Sequence, residues 1–577
     1  MKKTGAWLAT YALEQVGVKY TFGIPGVHNT ELYDELNKSK LIEPMLVTHE
    51  GGGAFMADAI SRTTDGIGCM VIVPAAGVTH AASGIAEAHL DGIPMLVISG
   101  GVRTDTQRAY QLHDMDQHAL LAPITKACFK ISHQDQIIET IYQAYNIATQ
   151  GEPGPVFIEL PVNLQLFSAE INSIAPYEKN APASIIDQHS IEQAAQILSQ
   201  AKQPGIFAGW GARHASGPLK ELAQWLASPV ATTLQGLSVF PANHPLHTGM
   251  GMGIYSVPAS ENAFNKVDFL LAIGTRFSEI PTGSYGISVP DDLIHLDINP
   301  KVFNANYPAK VCLEGDAEIL IPKLLDALKK IQKQERSNPS LIQAIQKDKL
   351  DYKKQWAQHD SRQRVNPALF FKALRQQLND DDYLVCDDGN HTFLTAELMA
   401  IHKSTHFIAP TDFNCMGYGV PATIATKLSH KDKNVVGIIG DGAFLMTCME
   451  LITAAKYAIA PIICVFNDGE LSQIAQAQEI PYNRKTCSVL GALDISGVAQ
   501  ACGVKYIHLE NNQTIDSALQ AALKTSQQGQ AVIVDVNIDY SKRTRFTQGT
   551  VKTNLKRFDL KTKARFIGRA LVRKISG

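Results

Sequence analysis

Between Val435 and Leu471 the chain alternates apolar runs of two kinds. VVGIIG, residues 435–440, is short, unbroken and rich in Val and Ile, which predicts a strand buried on both faces of a parallel sheet. Phe444, Leu445, Met449, Ile452 and Ala455 then recur at helical spacing. PIICVF, residues 461–466, is a second buried strand. Strand, helix and strand make a βαβ unit, whose crossover delivers both strand ends to one edge of the sheet.

The same alternation recurs along the chain. Tyr20–Phe22 and Met45–Val47 predict strands, the first running into a Pro25-Gly26 turn and the second into Glu50. VIVPAAGVTHAASGIAEAHLDGIPMLVISG, residues 71–100, predicts strand, glycine turn, helix and strand, and residues 154–161 close a first domain at about residue 165. Residues 166–190 are polar and Pro-bearing, as in a linker. Residues 205–211, 269–274 and 293–298 predict strands of a central, Rossmann-like sheet over 190–327. Residues 327–365 are charged and helix-friendly, as in a solvated connector. A third domain, 365–541, opens on the strand 383–386 and ends before a tail, 542–577. The expected fold is α/β, with three doubly wound parallel-sheet domains and a basic C-terminal tail. At the N-terminus, Trp7, Leu8, Tyr11 and Val16 share a helix face and Glu14 interrupts the apolar run, so an amphipathic helix is expected rather than a signal peptide.

Composition narrows the function classes. The 577 residues are 45% hydrophobic and 19% charged, an ordinary globular balance. A net charge of −3 gives no reason to expect nucleic acid, and nine cysteines without CxxC pairs suggest a reduced, cytoplasmic setting. The tail departs from this balance, with twelve Lys and Arg against Asp559 alone, and with Phe558, Leu560, Phe566, Ile567, Leu571 and Ile575 interleaved. Such a segment fits a clasp on the protein's own oligomer, an acidic partner or an anionic membrane surface; the acidic remainder of the chain favours the clasp.

The sheet edge at 440–471 carries the chemistry. Gly442 and Ala443 open a helix with free backbone N–H groups, a ready anion site. The Asp441 carboxylate, the Asn467 amide oxygen and the Gly469 carbonyl are three oxygen ligands from adjacent strand ends, a set that suits Mg²⁺ sharing a diphosphate. Glu50 begins the helix opened by Gly51-Gly52-Gly53, where it is either a catalytic carboxyl or a plain cap.

Gly440-Asp441-Gly442, followed by a helix, a strand and Asn467-Asp468, resembles the thiamin diphosphate (ThDP) motif. THEGGGAFMADAISR around Glu50 resembles the segment that reaches the cofactor's aminopyrimidine. On these residues the chain is identified as similar to acetolactate synthase catalytic subunits, and also to benzaldehyde lyase and oxalyl-CoA decarboxylase. The resemblance implies pyrimidine-binding, central and diphosphate-binding domains, and active sites shared across a homodimer or homotetramer. It implies cofactor contacts at Pro25, Gly26, Glu50, Gly389, Asn390, His391, Asn414, Met416, Gly440, Asp441, Gly442, Ala443, Asn467, Gly469 and Leu471. Met416 stands where relatives wedge an apolar side chain between the cofactor rings; a packed core methionine is the alternative. His391 is read as a diphosphate donor or a structural histidine, and His28 and His113 as catalytic proton relays or structural groups. His80 is a further histidine that could face the cofactor.

Three departures bear on substrate and cofactor. In the central domain an NAD-binding reading of Gly209 and Gly211 fails, because His214 occupies the third glycine position of GxGxxG; Trp210 replaces the middle of three glycines expected for FAD, so a flavin is disfavoured. Ile280 stands where acetolactate synthases carry an arginine for the second 2-oxo acid, and Ala477 where they carry a selectivity tryptophan. The expected reaction is decarboxylation of a 2-oxo acid, pyruvate first, and joining of the acyl unit to a second carbonyl. Another ThDP lyase or decarboxylase is the alternative, and a non-catalytic ThDP-binding homologue is the alternative of another class.

Overall fold

The computed structural model describes residues 2–171, 174–179, 186–482 and 484–576. Three six-stranded sheets, each wholly parallel, form the frame. In the first, the spatial order is Glu43–Leu46, Tyr20–Gly23, Gly68–Ile72, Met95–Gly101, Pro155–Pro161, Ala127–Lys130. In the third it is Phe407–Ile408, Tyr383–Cys386, Val435–Gly440, Ile462–Asn467, Val532–Asn537, Lys505–Leu509. Numbered within each domain, both read 2-1-3-4-6-5, whereas the central sheet, from His247–Met250 to Val311–Glu314, reads 3-2-1-4-5-6. Strand order therefore reverses between the first and third strands of the outer domains. That switch point is where open α/β sheets leave a ligand crevice, and Pro25, Gly26, Asp387 and Asp441 all follow strands that flank it.

The strands are nearly continuous apolar runs because helices cover both faces. Val435, Val436, Ile438 and Ile439 are fully buried, as are Ile463, Cys464, Val465 and Phe466. Helix starts carry their caps: Asn338, ahead of Pro339, accepts the Leu341 N–H at 3.1 Å. One continuous core joins the first and third domains, with Phe55 edge-on to Tyr418 at 5.5 Å, and another joins the central and third domains.

The helix expected after Val435–Gly440 does not run straight. It breaks into Asp441–Thr447, a turn at Cys448–Glu450, and Leu451–Lys456. Polar side chains leave the helix to make distant bonds. Thr447 Oγ1 donates to the Gly417 carbonyl at 2.8 Å. Buried Glu450 accepts from Thr48 N and His49 N at 3.0 Å, and from Thr48 Oγ1 at 2.6 Å. Leu445, Met449 and Ile452, expected on a core-facing stripe, are 44%, 48% and 39% exposed, beside Met446 at 58%.

At the N-terminus a helix spans Gly5–Gln15, preceded by the strand Lys2–Thr4, which pairs antiparallel with Ser168–Glu170. The stretch 166–190 thus begins as an edge of the first domain; residues 172–173 and 180–185 lie outside the described residues. The connector takes in the end of Ala317–Ile331 and all of Pro339–Ala357, the latter burying Leu341, Ile345, Tyr352 and Trp356 and so not wholly solvated.

The tail forms two helices, Arg545–Arg557 and Leu560–Ser576. The first is fixed to its own chain. Arg545 pairs with Glu261 of the central domain, Glu397 of the third accepts the Phe546 N–H at 2.9 Å, and the Phe546 ring stacks on Phe393 at 3.9 Å. The second lies against Ser472–Tyr482. The side chains of Ile567, Leu571 and Ile575 lie outside the described residues. Among the described residues no helix is long and apolar enough to cross a membrane, and all nine cysteines are free thiols.

Candidate active site

Two half-sites emerge, one per outer domain. In the third domain, Asp441 opens its helix and Asn467 ends the adjacent strand. Asp441 Oδ2 accepts the N–H groups of Gly469 at 2.7 Å and Asp468 at 3.2 Å, so this side chain ties the two loops together. Burial raises the Asp441 pKa, countered by those N–H groups. Asn467 donates from Nδ2 to Asp535 at 3.1 Å, which fixes the amide and turns its oxygen to the acceptor role a metal needs. Gly469 adopts φ +80°, the left-handed region that favours glycine. Its carbonyl accepts the Leu490 N–H at 2.9 Å, which leaves one lone pair for a metal. Leu471 covers Gly442 so closely that a Cβ there would sit 2.3 Å from Leu471 Cδ2, and Met416 Cε lies 3.6 Å from the same point. Ala443 is buried beneath them.

The neighbouring strand end supplies Asp387 to His391. The His391 ring fills the space between Gly389 and Gly440, where added Cβ atoms would lie 2.7 and 2.9 Å away. One ring nitrogen engages the Asp387 carbonyl, and burial pushes the imidazole pKa down to about 3. Nε2 has no partner, and neither do Asp388 Oδ1 and Asp468 Oδ1. Asn390 is buried at the start of its helix.

Asp387 itself was not singled out by the sequence. It accepts from Asp388 N at 2.8 Å, Gly417 N at 3.0 Å and Gly419 N at 2.6 Å, and so holds the Met416 loop. Burial pushes its pKa up to about 7, against the pull of these N–H groups. Asn414 is in the left-handed region, φ +64°, and its side chain bonds Asp388.

The first-domain half-site centres on Glu50. The cap is His49, whose Nδ1 accepts the Gly51 N–H at 3.0 Å. Glu50 is the first helical residue, buried, with Oε2 3.0 Å from His80 Nδ1 and Oε1 over Gly77. The carboxyl is thus free of capping duty. Gly26 N donates to Asn29 Oδ1 at 2.7 Å, which pins the turn after Pro25. His28 lies 3.4 Å, Nδ1 to Nδ1, from His113, and its pKa is lowered by burial and then by that neighbour. Among the described residues no hydrogen bond, ion pair or ring contact joins Glu50, His28 or His113 to Met416, Asp441 or Leu471.

The third-domain cradle fits a diphosphate with a divalent cation: unpartnered buried polar atoms, two glycines under one imidazole, and an oriented amide oxygen. The central-domain glycine loop after the strand Pro204–Ala208 is closely packed. Gly209 and Gly211 are packed on Gly274, where added Cβ atoms would lie 2.2 and 2.6 Å from its backbone, and the Trp210 side chain is buried in the core between the outer domains. A cavity of about 310 Å³ remains at that sheet edge, lined by Arg213, Gln235, Arg276 and Ile280 among others.

Comparison with known proteins agrees with this division. Residues 3–120 match the N-terminal TPP binding domain of thiamine pyrophosphate enzymes, residues 191–328 their central domain, and residues 387–536 their C-terminal TPP binding domain. The chain is 32% identical to a probable acetolactate synthase large subunit of Methanocaldococcus jannaschii, over 93% of this chain and 92% of that protein. It is 30% identical to the acetolactate synthase large subunit of Haemophilus influenzae, over 94% and 96%. The same figure holds for that of Buchnera aphidicola subsp. Schizaphis graminum, over 93% and 95%. The chain therefore belongs to the thiamine pyrophosphate enzymes, within their acetolactate-synthase-like branch, and is a ThDP-dependent decarboxylase or carboligase.

Proposed function

We propose that the protein decarboxylates pyruvate and joins the acyl unit to a second carbonyl compound, using ThDP and Mg²⁺. The third-domain cradle is the observation that carries this reading. Asp441, Asn467 and the Gly469 carbonyl hold the cation. Asn390, His391 and the Ala443 N–H face the diphosphate, whereas the Gly442 N–H, expected free from the sequence, is held by Asp441 Oδ1 at 2.8 Å. Bound ThDP supplies a carbon nucleophile and an electron sink for loss of CO₂. Met416 and Leu471 shape the space above Gly442, and Pro25 and Gly26 line the pyrimidine side. Glu50 holds a proton at Oε against the aminopyrimidine. His28 and His113 move a proton to the oxygen that develops charge in the reaction.

We read the active site as composite, formed when a second copy brings its first-domain half-site to the third-domain cradle. The exposed row Leu445, Met446, Met449 and Ile452 supports this, because an apolar face of that kind on the βαβ unit needs cover. The assembly is a homodimer or a homotetramer built from such dimers. The basic tail clasps its own chain through Arg545, and its second helix is read as meeting an acidic surface of the oligomer, a partner or a membrane. A cytoplasmic location accords with the nine free thiols.

A second reading, a ThDP lyase or simple decarboxylase with a different acyl acceptor, is favoured by Ile280 and by exposed Ala477. The test of the common core is Glu50→Gln. ThDP should still bind, while turnover falls at least about 100-fold. Turnover within a fewfold of the native enzyme would remove Glu50 from the chemistry.

A further inference from the structure

Met416 is flanked by two backbone N–H groups held by buried carboxyls from different domains. On one side Gly417 N donates to Asp387 of the third domain at 3.0 Å. On the other, Cys415 N donates to Oε2 of Glu87 at 2.9 Å, and Thr411 N to Oε1 of the same side chain at 3.2 Å. Glu87 belongs to the first domain. It lies in the helix Ala76–Asp91, fully buried, one turn before Asp91. Asp91 grips the start of the same loop, accepting Thr411 Oγ1 at 2.7 Å and Asp412 N at 2.9 Å. The loop between these anchors is bent, with left-handed backbone at Asn414, φ +64°, and Gly417, φ +87°.

We propose that Glu87 is a positioning residue for the reaction: it fixes the loop 411–417 from the first domain and thereby sets where the Met416 thioether stands in the cofactor site. The proposal rests on reading Met416 as the group that shapes the cofactor.

Charge bookkeeping separates this role from plain stabilisation. Asp58, Glu87 and Asp91 share one buried cation, Arg62, which bonds Asp58 at 2.6 Å and Asp91 at 2.8 Å. Tyr418 donates to Asp58 at 2.8 Å. Glu87 is the surplus acid. Burial first, and then Asp91, push its pKa well above the ordinary carboxylate range. A surplus buried carboxyl is a burden on folding, which offsets the hydrogen bonds lost with it, so removing it should leave global stability nearly level. What it holds in return is the backbone next to Met416. Thr411 N is shared with Asp91 Oδ2 at 3.2 Å and keeps that acceptor, so the Cys415 N–H is the one left without a partner, which loosens the loop by an amount that corresponds to roughly 10- to 100-fold in an equilibrium constant.

The experiment compares the native protein with Glu87→Ala and Glu87→Gln in three measurements: hydrogen exchange of residues 411–417 without cofactor, calorimetric titration with ThDP and Mg²⁺, and the thermal midpoint. In Glu87→Ala the Cys415–Gly417 amides should exchange at least about 10-fold faster, and ThDP should bind roughly 10- to 100-fold more weakly, with no fall in midpoint. Glu87→Gln keeps one acceptor oxygen and should lie between. Native exchange and native ThDP affinity in both variants would overturn the proposal. So would a loss of affinity matched in both by a falling midpoint, which is the mark of a merely structural residue. Met416→Ala tests the underlying reading separately: native ThDP affinity and turnover there would remove Met416 from the cofactor site. The exchange data would still report whether Glu87 holds the loop.

Discussion

His391 sets a conflict that magnitudes resolve. Its Nε2 is the atom that could meet a diphosphate, yet in the protein alone the other ring nitrogen engages the Asp387 carbonyl. A neutral imidazole that donates there leaves Nε2 as a lone pair, the wrong polarity for phosphate oxygen. Two changes could correct it. Protonating a group whose pKa burial has pushed down to about 3 costs about 5 kcal/mol at pH 7, at 1.36 kcal/mol per unit. Moving the proton from one nitrogen to the other forfeits one neutral hydrogen bond, about 1 kcal/mol. The tautomer change wins by several kcal/mol, so ThDP should bind without proton uptake by His391. The perturbation is His391→Gln, which keeps a donor N–H but cannot titrate. Calorimetry at pH 6.5 in two buffers of different ionisation heat counts the protons taken up. Native protein and variant should take up the same number, and the variant should bind within about 10-fold. One extra proton in the native protein alone would refute the reasoning, because it would show that His391 binds as the cation.

Further outcomes follow from the same geometry. Because His391 is neutral in the folded state, its lowered pKa contributes stability that is whole above 6.5 and is lost as pH falls toward about 3. Between pH 7.5 and 5.5 the native protein should lose about 1.4 kcal/mol more than His391→Gln, read from urea midpoints; equal slopes would contradict it. Asp441→Ala removes the acceptor of the Gly469 and Asp468 N–H groups as well as the proposed metal ligand. Its ThDP affinity should no longer respond to Mg²⁺ in a titration, and a native Mg²⁺ response would count against the ligand set. Leu445→Asp places a charge on the exposed apolar row and should shift the oligomer toward monomer in analytical ultracentrifugation, with turnover lost in step. An active monomer would contradict a composite site.

The legible parts of this protein were those written in local pattern. Apolar runs marked the strands, and Asp441 and Asn467 stood at their ends, so the sheet edge could be located before any contact was known. Gly469 was legible for its backbone alone. What stayed hidden depended on partners far away in sequence. Helical periodicity runs unbroken through Cys448, and the helix breaks where Thr447 donates to Gly417 and Glu450 accepts from Thr48 and His49, the latter some four hundred residues away. Glu87 sits in an Ala-rich helix and reads as an ordinary surface acid, because nothing local reveals Thr411 and Cys415 against it. Glu50 was ambiguous between cap and catalyst until His49 proved to carry the cap. Trp210 was noticed as a misfit in a glycine loop, and the structure gives the reason: its ring is core, packed between the outer domains.

The central claim, a carboligase acting on pyruvate, is tested most directly by incubating the purified protein with ThDP, Mg²⁺ and pyruvate, with and without FAD. CO₂ release is followed and the product identified by mass. The account predicts CO₂ release and a carbon–carbon-bonded product, acetolactate, with no change on adding FAD. Acetaldehyde as the sole product would replace carboligation by simple decarboxylation. No CO₂ from pyruvate, with turnover of another 2-oxo acid or an acyloin under the same conditions, would contradict pyruvate as the donor.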